Sequence, residues 1–305
     1  MPDTHGGNIF KFSHDHKINL SEVTDFSANI NLLGPSPKGL EALNERLRYI
    51  SHYPDVTNDD VMNTIADVYG IEKDSILLGN GAAELIYAVG RLSGFTGAFV
   101  PAPGFSEYQA SMDAANIPVR EIFYRQRQND DGTPYFEVPY LALQTFAAEL
   151  KGQDGRIIVF LGNPNNPDGT LLDKQSIKVL AQMLKDANSL LVIDESFIDF
   201  IGDESLRHNS YSMRELINQY DNVIIVHSFT KFYAVPGLRI GAVFANPTLI
   251  QELRQYIPAW SVNTLAQAYT ESALTDTKYI NDSKMVLANE AKYMYESLSA
   301  IKDLV

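Results

Sequence analysis

The sequence predicts an α/β protein with a mostly parallel β-sheet covered by helices on both faces. Short runs of β-branched and aliphatic residues alternate with longer segments of helical periodicity, which is typical of repeated strand–helix–strand units. Polar residues directly follow several of these runs, and ligands of open α/β sheets bind at that edge. With 305 residues, 45% of them hydrophobic, the chain can bury a large core.

The predicted elements extend from residue 75 to the end of the chain. The strands are Ser75–Leu78, Gly97–Val100, Val119–Phe123, Ile157–Leu161, Leu190–Ile193, Val223–Val226 and Ile240–Phe244. The helices are Ala82–Leu92, Phe105–Ala115, Lys174–Asp186 and Thr248–Ile257. We expect residues 1–40, rich in Asn, Gly and Pro, to form an arm, and residues 41–258 to form a large ligand-binding domain. Residues 259–305 are helical in pattern and would begin a small C-terminal domain.

Composition and charge exclude several classes of protein. A formal net charge of −14 disfavours nucleic acid and anionic lipid as partners. There is no cysteine, so disulfide and thiol chemistry are excluded. No signal-peptide pattern and no membrane-length apolar run occur, and we expect a cytoplasmic protein. His14 and His16 flank Asp15, but no second ligand cluster accompanies them, so we expect no metal site.

The segment LLGNGAAEL, residues 77–85, predicts a strand, a glycine turn and a helix that begins near Ala82. The free N–H groups and the dipole at such a helix start suit a phosphate. A dinucleotide fingerprint fails because position 84 is Glu instead of Gly. An ordinary strand–turn–helix remains the alternative for this segment.

Two further strands are followed by polar residues. The segment LGNPNNPDG, residues 161–169, must turn sharply at its Asn-Pro pairs and present Asn side chains. Asp194 follows four apolar residues of a predicted strand, so its carboxylate would be buried and would need a cationic or hydrogen-bonding partner. A protonated pyridine nitrogen is such a partner, and a helix-capping role is the alternative.

The segment HSFTKFYAVPGLRIGAVF, residues 227–244, contains Ser228, Lys231 and Arg239. A lysine among apolar and aromatic residues loses solvation, which favours its nucleophilic amine form, and such amines form Schiff bases. Ser228 and Arg239 can both hold a phosphate. Although a single lysine is usually a surface charge, the four segments together supply what pyridoxal 5′-phosphate (PLP) requires.

In these motifs the chain resembles the fold-type-I PLP-dependent enzymes of the class I/II aminotransferase superfamily. The S-F-T-K…R and N-P-x-G motifs carry the likeness to the superfamily, and the resemblance covers essentially the whole chain. HGGN, DFSANIN, DESFIDF and WSVN are similar to the branch of threonine-phosphate decarboxylases. Histidinol-phosphate aminotransferases are the next most similar branch.

The resemblance implies a role for each matching residue. Lys231 would hold PLP as a Schiff base, Asp194 would pair with the pyridine nitrogen, and Asn166 would bond the 3′-oxygen. The phosphate would be held by Gly81, Ala82, Ala83, Ser228 and Arg239. Phe105 would stack on the ring, and Tyr53 would reach the phosphate of a neighbouring subunit, which implies a homodimer. His5 and Asn29 would contact a phosphorylated amino-acid substrate.

The resemblance also implies a reaction. It favours decarboxylation of L-threonine O-3-phosphate for cobalamin biosynthesis, and Phe197, where aminotransferases usually have Tyr, agrees with this. Asp168 stands where the wider family usually has Thr, which we expect to matter little. Family members continue beyond the last helix to an Arg that fixes the substrate carboxylate, and no residue here matches it, so the small domain is expected to be incomplete. The alternatives are a histidinol-phosphate-type aminotransferase and a nucleotide-binding or structural α/β protein without PLP.

Overall fold

A seven-stranded sheet forms the centre of the computed structural model, which describes residues 6–130, 132, 134–150, 155–201 and 206–301. The strands are β1 (Ile76–Gly79), β2 (Phe95–Ala102), β3 (Val119–Phe123), β4 (Arg125–Gln128), β5 (Pro134–Glu137), β6 (Arg156–Gly162), β7 (Leu190–Asp194), β8 (Val223–Ser228) and β9 (Gly241–Ala245). Their order in the main sheet is β1-β9-β8-β7-β6-β2-β3, and β4 and β5 form a separate hairpin. Only the pairs of β9 with β1 and with β8 are antiparallel in the main sheet, so the predicted mostly parallel sheet is confirmed.

Eleven helices accompany the sheet in the described part of the chain. They are α1 (Ile9–His16), α2 (Pro37–Arg46), α3 (Asp59–Tyr69), α4 (Gly81–Gly90), α5 (Ser106–Ala114), α6 (Tyr140–Leu150), α7 (Lys174–Asp186), α8 (Phe229–Phe232), α9 (Pro247–Arg254), α10 (Thr264–Leu274) and α11 (Thr277–Ser299). Within the described ranges, no helix combines the length and the apolar character that crossing a bilayer requires.

Both faces of the sheet are buried, as its apolar strands predict. Along β7, Leu191 and Ile193 belong to one hydrophobic cluster, whereas Leu190 and Val192 belong to another. This alternation follows from the two-residue period of a strand. All five residues of β7 are buried, which is typical of a parallel strand with helices on both sides.

Strand β3 and helix α7 have the bounds that the sequence predicts, whereas the bounds of several other elements differ from the predicted ones. The structure adds α1, α2, α3, α6 and the β4–β5 hairpin, none of which the sequence analysis identified. Asn8 caps α1 by accepting a hydrogen bond from the N–H of Lys11 at 3.2 Å, and α1 buries no residue. The composition of residues 1–40, rich in Asn, Gly and Pro, gave no sign of this helix, which begins at a local side-chain cap and lies on the surface.

Register in the sheet brings the predicted polar residues to one edge. Gly162 at the end of β6 pairs with Asp194 at the end of β7, and Asp194 pairs with Val226 of β8. Ser228, at the end of β8, pairs with Gly241 at the start of the antiparallel β9. The ends of three parallel strands therefore converge beside the turn into α4.

A buried polar network supports this edge from one face. The Tyr69 hydroxyl donates to Asp199 Oδ2 at 2.7 Å, and His227 Nε2 lies 3.1 Å from the same oxygen. Burial alone would raise the pKa of Asp199, but His227 and the hydrogen bonds from His227 and Tyr69 lower it overall. The network thus stabilises an ionised carboxylate in the core.

We predict that Tyr69→Phe lowers the free energy of unfolding by about 1.5–3 kcal/mol at pH 7, since it removes a hydrogen bond to a buried charge. Because the folded pKa of Asp199 is lowered, this contribution is present above the unfolded carboxyl value and diminishes as pH falls through the folded value. Urea unfolding of both proteins measures the difference. Tyr295→Phe, at a tyrosine that is 66% exposed, is the matched control, and equal losses in the two variants would contradict the prediction.

Candidate active site

A cavity of about 550 Å³ lies at the carboxyl ends of the parallel strands. Its walls contain Ala82, Ala83, Phe105, Tyr108, Pro164, Asn166, Asp194, Ser196, Phe197, Ser228, Thr230, Lys231 and Arg239. The structure therefore brings together most of the residues that the motifs predicted from four separate segments. This cavity is the candidate active site.

One end of the cavity is formed by the first turn of α4 and by Arg239. Gly81 has a φ of +81°, and a Cβ at this position would lie 2.3 Å from Arg239 Nη2. A Cβ at Gly241 would lie 2.6 Å from the backbone nitrogen of Ala82. Both glycines are therefore required for the close approach of the helix start, the guanidinium and β9. This arrangement places a positive helix terminus beside a positive side chain, which suits an anion.

The Glu84 side chain stabilises the turn into α4 with two hydrogen bonds. Its Oε2 accepts a hydrogen bond from the backbone nitrogen of Asn80 at 2.7 Å and a second one from the hydroxyl of Ser261. The carboxylate therefore satisfies a backbone donor at the helix start and joins it to the segment before α10. The sequence analysis treated Glu84 only as the residue that breaks a dinucleotide fingerprint.

Arg239 and Ser228 complete this anionic subsite. Arg239 adopts a left-handed backbone conformation, with φ +57°, directly after a single 3₁₀ turn at Pro236–Leu238. Such a conformation costs about 1–3 kcal/mol in a residue other than glycine and is often found at ligand sites. Ser228 caps α8 and accepts a hydrogen bond from the N–H of Thr230 at 3.4 Å. Both side chains line the cavity.

Asp194 places a carboxylate in the wall of the cavity, whereas Arg239 and the helix start favour an anion. Its side chain is buried, with 6% of its surface exposed. Oδ1 accepts a hydrogen bond from the backbone nitrogen of Ser196 at 2.9 Å, and Oδ2 accepts one from the hydroxyl of Tyr108 at 2.8 Å. Both donors are neutral, so a ligand that brings a protonated nitrogen would supply the missing positive charge.

Lys231 stands in α8 between these two ends and is half-buried. Among the described residues, its Nζ donates a single, long hydrogen bond of 3.4 Å to Thr230 Oγ1. Burial, followed by the nearby positive charge of Arg239, lowers the pKa of Lys231, although Asp194 opposes the shift. The amine is therefore available as a nucleophile at lower pH than an exposed lysine.

The Asn-Pro turn forms a further wall of the cavity. No described residue makes a hydrogen bond to the Asn166 side chain, so its amide is free for a ligand. Asp168 shapes the turn: its Oδ1 accepts hydrogen bonds from Asn165 Nδ2 at 2.9 Å and from Thr170 N at 3.1 Å. The residue that departs from the family pattern is thus part of the turn's own hydrogen bonding.

Tyr53 and Asn29 are not among the residues that line this cavity. Tyr53 is 79% exposed and stacks on Trp260 with ring centroids 4.5 Å apart. Asn29 is an exposed residue of the arm, two residues before Asn31, whose backbone nitrogen donates to the Lys231 carbonyl at 3.2 Å. His5 lies outside the described residues.

The sequence analysis did not identify Pro164, Tyr108, Ser196 and Thr230 as members of the site. Ser196 and Thr230 each stand within two residues of a predicted site residue, so their proximity was a usable signal. Tyr108 follows Phe105 by three residues, which places both side chains on one side of a helix start. Spacing could have indicated Tyr108, but its contact with Asp194 is not visible in the sequence.

The donor set fits PLP. The cofactor carries a phosphate, an aldehyde, a 3′-oxygen and a pyridine nitrogen, and the cavity offers an anion subsite, a lysine amine, an unpaired amide and a buried carboxylate. Because Gly81 has no Cβ, the Arg239 guanidinium can lie against the start of α4. No residue in the described walls places a negative side chain at the anion subsite itself.

Comparisons of sequence support this assignment. Residues 21–305 match the family model described as aminotransferase class I and II. The adenosylcobalamin biosynthesis bifunctional protein CobDQ of Leptospira interrogans is 36% identical over 282 residues, which are 92% of this chain and 30% of that protein. The threonine-phosphate decarboxylase of Salmonella typhimurium is 30% identical over 295 residues, 96% of this chain and 76% of that protein. The chain thus spans less than a third of the first relative and about three quarters of the second.

Solved structures show the same fold. The histidinol-phosphate aminotransferase of Clostridium acetobutylicum matches with a TM-score of 0.78 at 27% identity, covering 92% of this chain and 78% of that one. The histidinol-phosphate aminotransferase of Sinorhizobium meliloti, in complex with pyridoxal-5′-phosphate, matches with a TM-score of 0.75 at 22% identity, covering 89% and 70%. The predicted fold and cofactor are confirmed. The chain belongs to the aminotransferase class I and II family, and its cofactor is pyridoxal 5′-phosphate.

Proposed function

We propose that this protein decarboxylates L-threonine O-3-phosphate to (R)-1-amino-2-propanol O-2-phosphate, a reaction of cobalamin biosynthesis. The observation that carries the proposal is the cleft that joins Lys231, Asp194 and Arg239 in a chain with relatives of 36% and 30% identity whose names refer to cobalamin biosynthesis and to threonine-phosphate decarboxylase. The motifs HGGN, DFSANIN and WSVN, which resemble that branch, support the same substrate.

The residues of the cavity would hold the cofactor in one orientation. Ala82, Ala83, Ser228 and Arg239 bind the phosphate, and Gly81 gives the helix start its close approach to the guanidinium. Asn166 would donate to the 3′-oxygen, Phe105 would stack on the ring, and Asp194 would accept a hydrogen bond from the protonated ring nitrogen. Lys231 is the amine that joins the cofactor to the protein.

The catalytic work of the chain is the control of charge and protons around the substrate Cα. When bound, PLP withdraws electrons from the Cα of an amino acid joined to it, so that a bond to Cα can break. Asp194 would lie beside the ring nitrogen and favour its protonated form. Lys231 Nζ would be the group that returns a proton to the substrate Cα.

The choice between decarboxylation and transamination depends on how the protein orients the substrate. Residues that fix the substrate carboxylate for cleavage would favour loss of CO₂, whereas residues that present the Cα hydrogen to Lys231 would favour transamination. Asn29 and His5 would bind the substrate phosphate from the arm. Phe197 lines the cavity and brings no hydroxyl where aminotransferases usually have Tyr.

A histidinol-phosphate-type aminotransferase is the second candidate. It is favoured by the structural match to the aminotransferase of Clostridium acetobutylicum, with a TM-score of 0.78. The fold and the proposed cofactor residues would serve both reactions, which differ in the substrate, in the bond broken at Cα and in the need for a keto-acid acceptor.

We also propose a homodimer. Tyr53 lies outside the walls of this chain's own cavity and is largely exposed, so its hydroxyl would reach the phosphate of a second copy. Apolar side chains of the arm are exposed nearby in sequence, among them Phe26 at 93% and Leu32 at 67%. A second copy would cover such side chains.

We predict that Lys231→Ala abolishes covalent attachment of PLP. Purified protein is incubated with PLP, reduced with borohydride and analysed by mass spectrometry and visible absorbance. Because the pKa of Lys231 is lowered, its neutral amine is more abundant at pH 8 than that of an exposed lysine, and labelling declines as pH falls through the lowered value. Lys185→Ala is the control, since Lys185 lies at the opposite edge of the sheet. Unchanged labelling of Lys231→Ala would overturn the assignment of the lysine.

We predict that the enzyme releases CO₂ from L-threonine O-3-phosphate without a keto-acid acceptor. The products are measured by trapping of CO₂ and by mass spectrometry of the amine. Histidinol phosphate with 2-oxoglutarate is the comparison reaction, because an aminotransferase would form glutamate from it. Glutamate formation without CO₂ release would replace the first proposal with the second.

We predict that Tyr53→Phe weakens PLP binding about tenfold, since a hydrogen bond to a charged phosphate is lost, while the protein remains a dimer. Light scattering should give about twice the chain mass of 34.0 kDa for both proteins. The control is Tyr293→Phe, at a tyrosine on α11 that is 64% exposed. A monomer that binds PLP as tightly as the dimer contradicts this role for Tyr53.

A further inference from the structure

Tyr108 connects two walls of the candidate active site. Its hydroxyl donates to Asp194 Oδ2 at 2.8 Å. Its ring stacks on Phe160, with centroids 5.1 Å apart and an angle of 14°, and meets Phe105 edge to face at 5.6 Å. One side chain therefore contacts both the carboxylate proposed for the ring nitrogen and the aromatic ring proposed to stack on the cofactor.

The Tyr108 hydroxyl is a permanent donor. Only 3% of the side chain is exposed, and burial together with the negative charge of Asp194 raises the pKa of Tyr108 well above its ordinary value. The phenol therefore stays protonated over the whole range of enzyme assays. Its hydroxyl hydrogen is therefore available to Asp194 Oδ2 throughout that range.

The two hydrogen bonds to Asp194 also fix its orientation. Ser196 N–H binds Oδ1 and the Tyr108 hydroxyl binds Oδ2, so rotation of the carboxylate would break at least one of them. The Ser196 donor belongs to the backbone directly after β7, whereas the Tyr108 donor comes from α5. Loss of the Tyr108 hydroxyl would leave the carboxylate with a single, local constraint.

We propose that Tyr108 is a positioning residue, whose hydroxyl holds the Asp194 carboxylate in the orientation in which it would face the cofactor's ring nitrogen. The proposal rests on the proposed role of Asp194. Tyr108 thus acts on the cofactor through its neighbours and not by contact with the reacting atoms.

Tyr124 offers a matched control. It is buried like Tyr108, with 6% of its surface exposed, but its hydroxyl has no hydrogen-bond partner among the described residues. Tyr124→Phe therefore removes a buried tyrosine hydroxyl without removing a hydrogen bond to Asp194. It reports what the loss of a buried tyrosine hydroxyl does in general.

The test is Tyr108→Phe, which keeps the ring and its packing. We expect the dissociation constant for PLP, measured by equilibrium dialysis, to rise about 10- to 100-fold, as for loss of a hydrogen bond to a charged group. If the ring nitrogen carries less positive charge in this variant, it destabilises the protonated form of the Lys231 nitrogen to a smaller extent. The pH midpoint of the bound cofactor's absorbance should therefore rise, whereas Tyr124→Phe should leave both quantities at the wild-type values.

A double-mutant cycle separates positioning from general packing. In an Asp194→Ala background, Tyr108→Phe should cause no further loss of PLP affinity, because the hydroxyl acts through the carboxylate. An equal loss in both backgrounds would show a structural role and overturn the proposal. So would a wild-type dissociation constant and pH midpoint in Tyr108→Phe itself.

These outcomes remain distinct from failure of the proposed function. If the wild-type protein does not attach PLP at Lys231, the proposed function fails first. If it does attach PLP and Tyr108→Phe matches Tyr124→Phe in both measurements, only the role of Tyr108 is lost. Thermal unfolding of each variant establishes that the proteins compared are folded.

Discussion

A buried carboxylate that requires a cationic partner organises this edge of the molecule. Asp194 ends a fully buried strand, and its hydrogen bonds come from the neutral donors Tyr108 and Ser196. Burial of an ionised carboxylate is costly unless a positive group approaches it. The space that such a positive group must enter is surrounded by the ends of the neighbouring strands, the first turn of α4 and Lys231. The fold therefore forms a site for a ligand that carries a positive charge near Asp194.

The opposite end of the same space has the opposite polarity. Arg239 and the start of α4 favour an anion, and the close approach of Gly81 to the guanidinium permits no larger residue. Lys231 lies between the two ends, and Arg239 and burial lower its pKa. A ligand with a phosphate at one end and a protonated ring nitrogen at the other satisfies both ends, while its aldehyde meets an amine that is partly neutral.

The parts of the fold that the sequence predicted are those with strong local patterns. Strand Val119–Phe123 and helix Lys174–Asp186 were predicted to the residue, and each begins at a clear local signal, Pro118 before the strand and the N-cap Asp173 before the helix. The exposed hairpin strand Arg125–Gln128 has no apolar alternation to reveal it. In the site, Lys231 and Asp194 were visible as polar residues at strand ends. Tyr108 was not, because its partner lies 86 residues away and a tyrosine in a helix resembles core.

The arm is joined to the segment that carries Lys231. The backbone nitrogen of Asn31 donates to the carbonyl of Lys231, and its amide donates to the carbonyl of Phe232 at 2.8 Å. A substrate group held two residues earlier, at Asn29, would thus be placed relative to Lys231 and not relative to the sheet. Proteins named as a histidinol-phosphate aminotransferase and as an L-threonine-O-3-phosphate decarboxylase share this fold, so the fold alone does not determine which bond to Cα breaks, and residues outside the strand ends must contribute to that choice.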